Sequence, residues 1–125
     1  MWTLIDSSIF GNLVPVETYL YYDGPLSFSI NNKDRWFYVH AHDFNQKYCD
    51  YIAREVTIEE LKLLEENKIT IKKFLENATV LYLIRDNFGS SDKKLETFEA
   101  KDFSNFNFAM SDGVYLLSDK KEDNG

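Results

Sequence analysis

The stretch "KYCDYIAREVTIEELKLLEENKITIKKFLENATVLYLIRD", residues 47–86, changes its repeat twice, and those changes decide the fold class. Residues 47–55 read as a strand, with Cys49, Tyr51 and Ala53 on one face of an extended chain. At Thr57 the period lengthens. Thr57 and Glu60 have the spacing of a capping box, and Ile58, Leu61 and Leu64 follow at helical intervals. Thr70 is a second N-cap, ahead of a stripe formed by Ile71, Phe74, Leu75 and Ala78. Each helix is about two or three turns long, too short to hold in water alone, so both must pack on a sheet. Residues 79–86 then return to strand, apolar enough for a central position.

Upstream, "VETYLYYDGPLSFSI" (16–30) carries two β-rich runs around Asp23-Gly24, a pair that favours a type I′ hairpin turn. Pro25 falls at the first position of the second strand, where a missing N–H is tolerated. There Leu26, Phe28 and Ile30 alternate with Ser27 and Ser29, which predicts one buried and one wet face. Residues 31–34 turn the chain into "RWFYVHA", apolar on both faces like a covered central strand. Downstream, residues 87–94 read as a loop, and weaker strands are expected within 95–103 and 113–118. The order of strands, two helices and more strands predicts an α+β fold. We expect a single domain over residues 1–118, with a mainly antiparallel, twisted sheet of about five to seven strands and two short helices packed on it. Residues 119–125 read as a flexible acidic and polar tail.

Composition narrows the function classes. Apolar residues make up 44% of the 125, enough for a continuous core, and aromatic residues 16%, more than a core requires. Formal net charge is −7, and residues 1–32 contain no Lys or Arg. Such a chain repels phosphate backbones and anionic membranes and attracts a basic protein partner. Neither direct nucleic-acid binding nor membrane association is therefore expected. Cys49 is alone, so an internal disulfide is excluded and a reducing compartment is the default. No signal peptide or membrane span is read from the sequence, and a cytoplasmic protein is expected.

Few residues look like chemistry. His40 and His42 lie two apart on a strand, with Asp43 beside them and Cys49 beyond a short loop. Zinc normally takes three or four protein ligands, and this spacing matches no closed metal motif, so the histidines read as structural. A hydrolase centre on His40, His42 and Asp43 is the rival reading. No glycine-rich phosphate loop is present, and no cofactor is expected. Cys49 with His40 or His42 could form a nucleophile and base, against the ordinary outcome of a buried, inert thiol. Arg35, Arg54 and Arg85 are the only arginines. One of them could hold an anionic ligand, against the simpler reading of pairing with nearby acids.

The segment "FEAKDFSNFNFAM" (98–110) sets Phe103, Phe106 and Phe108 among polar residues without a clean period. Its rings either plug the core or form an exposed patch that anchors a protein interface. Tyr19 and Tyr21 could extend such a patch. The Tyr22-Asp23-Gly24-Pro25 hairpin, with the helix pair ending in Phe74-Leu75, resembles a family of small bacterial and phage domains. The likeness covers about residues 15–85, with Asn67-Lys68 where that family has a glycine between the helices. It implies the strand-to-helix-pair order and a bacterial or phage origin, and it transfers no catalytic residue. The resulting expectation is a non-enzymatic, acidic protein-interaction domain: an inhibitor, an immunity-type partner or a complex subunit. A domain binding a small ligand or nucleotide signal is the alternative. Sequence leaves the oligomeric state open.

Overall fold

A computed structural model describes residues 2–11, 13–21, 25–87, 95–103, 106 and 113–116. Among the described residues, seven strands form one antiparallel sheet: β1 (Thr3–Ile5), β2 (Glu17–Tyr21), β3 (Pro25–Asn32), β4 (Arg35–Phe44), β5 (Cys49–Val56), β6 (Leu81–Asp86) and β7 (Leu95–Ala100). Two helices, α1 (Ile58–Glu65) and α2 (Ile71–Glu76), link β5 to β6. The spatial order is β1-β7-β6-β5-β4-β3-β2, so the chain meanders from β2 to β7 while β1 returns to flank β7. The fold is thus α+β but dominated by strands.

Local chemistry explains the turns. Asn32 pairs with Arg35 across the β3–β4 hairpin, and Lys33 and Asp34 between them both have positive φ, 53° and 68°, as a type I′ turn requires. The β2–β3 hairpin forms where its sequence predicts, while the Asp23-Gly24 turn itself lies outside the described residues. In α1, Thr57 and Glu60 complete the capping box, each side chain bonded to the other's backbone N–H. The helix ends in a Schellman motif, with Lys68 N–H bonded to the Leu63 carbonyl and Asn67 N–H to that of Leu64. Asn67 takes the left-handed conformation, φ 57°, which asparagine tolerates better than most residues. Asparagine thereby does the work of the expected glycine. Thr70 caps α2 as predicted, and the Val114 carbonyl accepts the Ile71 N–H at 2.9 Å.

The helices bury Leu61, Leu64, Ile71, Phe74 and Leu75 against Tyr38, Ile52, Val56 and Leu81 of one sheet face. Full burial of a leucine or phenylalanine is worth about 2 kcal/mol, and this layer holds several. Ile58, although in phase with Leu61 and Leu64, stays exposed at the first position of α1. The opposite face carries Phe28, Ile30, Phe37, Val39, Ala53, Tyr82 and Ile84. It is covered by a 3-10 turn, Ser7–Phe10, whose Phe10 ring lies 4.7 Å from Phe37 and 5.2 Å from Tyr82. Asn32 Nδ2 donates to the carbonyls of Ser8 and Ile9, and Ser7 Oγ to that of Leu95, which fastens the turn to β3 and to β7.

Two sequence expectations change. Ser27 and Ser29 are buried rather than wet, because the helix face of β3 is covered where Tyr19 and Tyr38 pack on it. Residues 113–116 form no strand, and instead fold back to place Leu116 in the core under the helices. The expected tail, 119–125, lies outside the described residues. Among the described residues no helix is long and apolar enough to cross a membrane.

Candidate functional site

Alternation on β4 turns Tyr38 and His40 to the helix face, and the β3–β4 register sets Ser27 opposite His40. Ser27 Oγ lies 3.0 Å from the Tyr38 hydroxyl and 2.5 Å from His40 Nδ1, with Tyr38 itself 3.3 Å from that nitrogen. Ser27 and Tyr38 are wholly buried. Ser27 can accept from Tyr38 while it donates to Nδ1, an arrangement that places the proton of a neutral imidazole on Nε2. Burial, and secondarily the neighbouring His42, pushes His40 down to about 4, so the ring is neutral at physiological pH. Burial likewise raises the Tyr38 phenol. Ser27 and His40 stand at the distance of a nucleophile and its base, but a serine with no exposed surface acts here as a hydrogen-bond relay.

His42 sits at a bulge, where the β4–β5 register slips between Ala41 and Asp43. Its ring centroid is 5.0 Å from that of Phe106, and its buried Nδ1 has no hydrogen-bond partner among the described residues. Asp43 pairs with Asp50 and is exposed. Cys49 pairs with Phe44 and lies three residues from Ile52, the partner of His40. Side chains alternate along a strand, so the thiol is on the opposite sheet face from the His40 ring. A joint site of both histidines with the cysteine is therefore not formed. Among the described residues, no three His, Cys, Asp or Glu side chains are grouped to hold a metal ion.

Each arginine is engaged by the fold. Arg35 makes a two-pronged ion pair with Glu55, Nη2 at 2.7 Å and Nε at 3.0 Å, in the open. That pairing raises the Arg35 guanidinium and lowers the Glu55 carboxyl. Arg54 lies over the Phe74 ring at 4.0 Å, donates to the Phe74 carbonyl and pairs with Glu60 at 2.7 Å. It forms one wall of an open cleft of about 460 Å³, shared with Asn77, Thr79 and Tyr82. Arg85 grips buried Asp50 through both prongs, at 2.8 and 2.9 Å, and stacks over Tyr48.

Of the aromatic candidates, Phe103 and Phe106 are half-buried against the helix-side core, and Phe106 meets Trp2 edge-on at 5.5 Å. They plug the core. Tyr19 also packs inward, its hydroxyl donating to Glu65 Oε2 at 2.7 Å. Phe108 lies outside the described residues, as does the side chain of Tyr21. Exposed apolar side chains include Leu4 on β1 and Ile58 and Leu63 on α1, and they run together on β2 and the chain leading into it: Val14 is 69% exposed, Val16 58% and Leu20 44%. Sequence reasoning missed these because aliphatic side chains in a β-rich run read as core until the strand is known to be an edge. The base-free composition of residues 1–32 was the one signal pointing there.

Comparison with protein-family models, curated proteins and solved structures gives no match to this chain. The likeness of its hairpin and helix pair to the small bacterial and phage domains thus rests on those residues alone.

Proposed function

We propose that this chain is a non-enzymatic, acidic protein-interaction domain that meets its partner along the β2 edge. It would serve as an inhibitor, an immunity-type partner or a complex subunit, of bacterial or phage origin. The observation that carries the reading is the row of exposed Val14, Val16 and Leu20 at a sheet edge. Long apolar edges are usually guarded by charge, and β2 carries only Glu17. The net charge of −7 favours a basic partner and disfavours nucleic acid. The lone, buried Cys49 is compatible with a reducing, cytoplasmic setting.

The engagement of all three arginines by acids weighs against the small-ligand reading. The separation of Cys49 from the histidines weighs against a metal centre built on them. Native mass spectrometry of the tagged chain, captured gently from its host, tests the proposal. A protein held at fixed stoichiometry is the expected result, and a bare monomer would count against it.

A further inference from the structure

We infer that β2 receives an extended, basic segment of the partner, laid along its outer edge as an added strand. This rests on the interaction reading above and states how the partner is held.

Among the described residues β2 has a strand neighbour on one side only, β3. The Val16 N–H is turned inward, bonded to the Ser29 carbonyl at 2.8 Å. Glu17 is the register partner of Ser29 and is turned inward as well, so alternation along the strand turns the N–H and C=O of Thr18 outward. Such groups are a template for another strand unless charge, proline or a bulge blocks them. The block here is partial. The register with β3 slips between Thr18 and Leu20 and again between Leu20 and Tyr21. Regular backbone pairing is thereby limited to the Val16–Thr18 stretch, and Leu20 contributes by side-chain contact.

Charge selects the occupant. Residues 1–32 contain no Lys or Arg, and β3 behind the edge carries no charged residue. Glu65 on α1 accepts from the Tyr19 hydroxyl at 2.7 Å, and Glu17 stands two residues from Tyr19 along β2, on the same face. A second copy of this chain would bring the same acids to the same edge, with −7 on each molecule, so self-pairing is opposed. A strand that alternates apolar residues with Lys or Arg answers both features: its apolar side chains meet Val16 and Leu20, and its cations meet Glu17 and Glu65.

The test uses the full chain and two fluorescein-labelled peptides, Lys-Val-Lys-Val-Lys-Val-Lys and its Glu-for-Lys twin. The lysine peptide is expected to bind roughly tenfold more tightly than its twin, with the preference shrinking in high salt. Exchange of the Thr18 amide hydrogen should slow when that peptide is bound. Glu17→Lys should weaken its binding roughly tenfold. Equal binding of the two peptides, an unchanged Thr18 amide, or pairing of two copies of this chain through β2 would overturn the inference. If a host protein co-purifies equally with the wild type and with a Glu17→Lys, Leu20→Ser double variant, the edge assignment falls while the interaction reading stands. If nothing co-purifies and neither peptide binds, both fall.

Discussion

Ser27 Oγ stands 2.5 Å from His40 Nδ1, directly across the β3–β4 register, and the hydroxyl of buried Tyr38 closes the network 3.0 Å from the serine. The imidazole is thus held neutral by its surroundings. Its protonation is therefore coupled to the stability of the fold.

The sign of the acid response follows. His40 falls from 6.5 to about 4 in the folded state, so below pH 6.5 the unfolded chain binds a proton that the folded chain refuses. Stability from this group is intact above pH 6.5 and is lost progressively as pH falls toward 4. The loss totals about 3 kcal/mol. Urea unfolding at about pH 7.5 and about pH 4.5 measures it. His40→Gln keeps a partner for Ser27 and should show a smaller drop between the two pH values. Equal drops in both proteins would place the acid sensitivity in other groups.

The helix layer should be sensitive to small deletions. Leu64 is fully buried between α1 and the sheet, and Leu64→Ala is expected to cost about 3 kcal/mol. Thr57→Ala removes the side-chain half of the capping box and should cost about 1 kcal/mol. Chemical denaturation distinguishes the two, the first lowering the midpoint more than the second.

Two arginines make the same kind of ion pair in different surroundings. Arg54 is mostly enclosed, and its loss would leave the Phe74 carbonyl and Glu60 without their donor, so Arg54→Ala should cost about 2 kcal/mol. Arg35 and Glu55 are exposed, and Arg35→Ala should cost less than about 0.5 kcal/mol. Thermal melts of the two variants check the ranking. Similar losses would mean that the stacking of Arg54 on Phe74 adds little.

Much of this fold was legible because short-range chemistry writes it. The caps at Thr57 and Thr70, the turn within 31–34, which the structure narrows to Lys33-Asp34, and the doubly apolar β4 depend on neighbours in sequence. What failed depends on distant chain. The alternation in β3 predicted a wet face for Ser27 and Ser29, yet a serine's environment is set by what packs above it, here Tyr38 and Tyr19. β1 went unread because three residues carry no period, and its strand partner is β7, near the far end of the chain. The same limit hid the candidate site. Exposure of Val16 and Leu20 follows from the edge position of β2, a property of topology rather than of its residues.

The division between core and edge aromatics can be measured. Phe106→Ala removes contacts to Trp2 and His42 and should destabilise the fold by about 2 kcal/mol. Leu20→Ser, on open surface, should shift stability by less than about 0.5 kcal/mol. Opposite ranking in a denaturant titration would mean that Phe106 is dispensable to the core and that the edge is covered.

The central claim is that β2 is where this acidic domain meets another protein. Its most direct measurement is a paired capture from the host, read by native mass spectrometry, of the wild-type chain and the Glu17→Lys, Leu20→Ser double variant, both shown to be folded. The account expects a basic partner at fixed stoichiometry on the wild type and its loss from the variant. A partner retained equally by both, or a bare wild-type monomer, would contradict it.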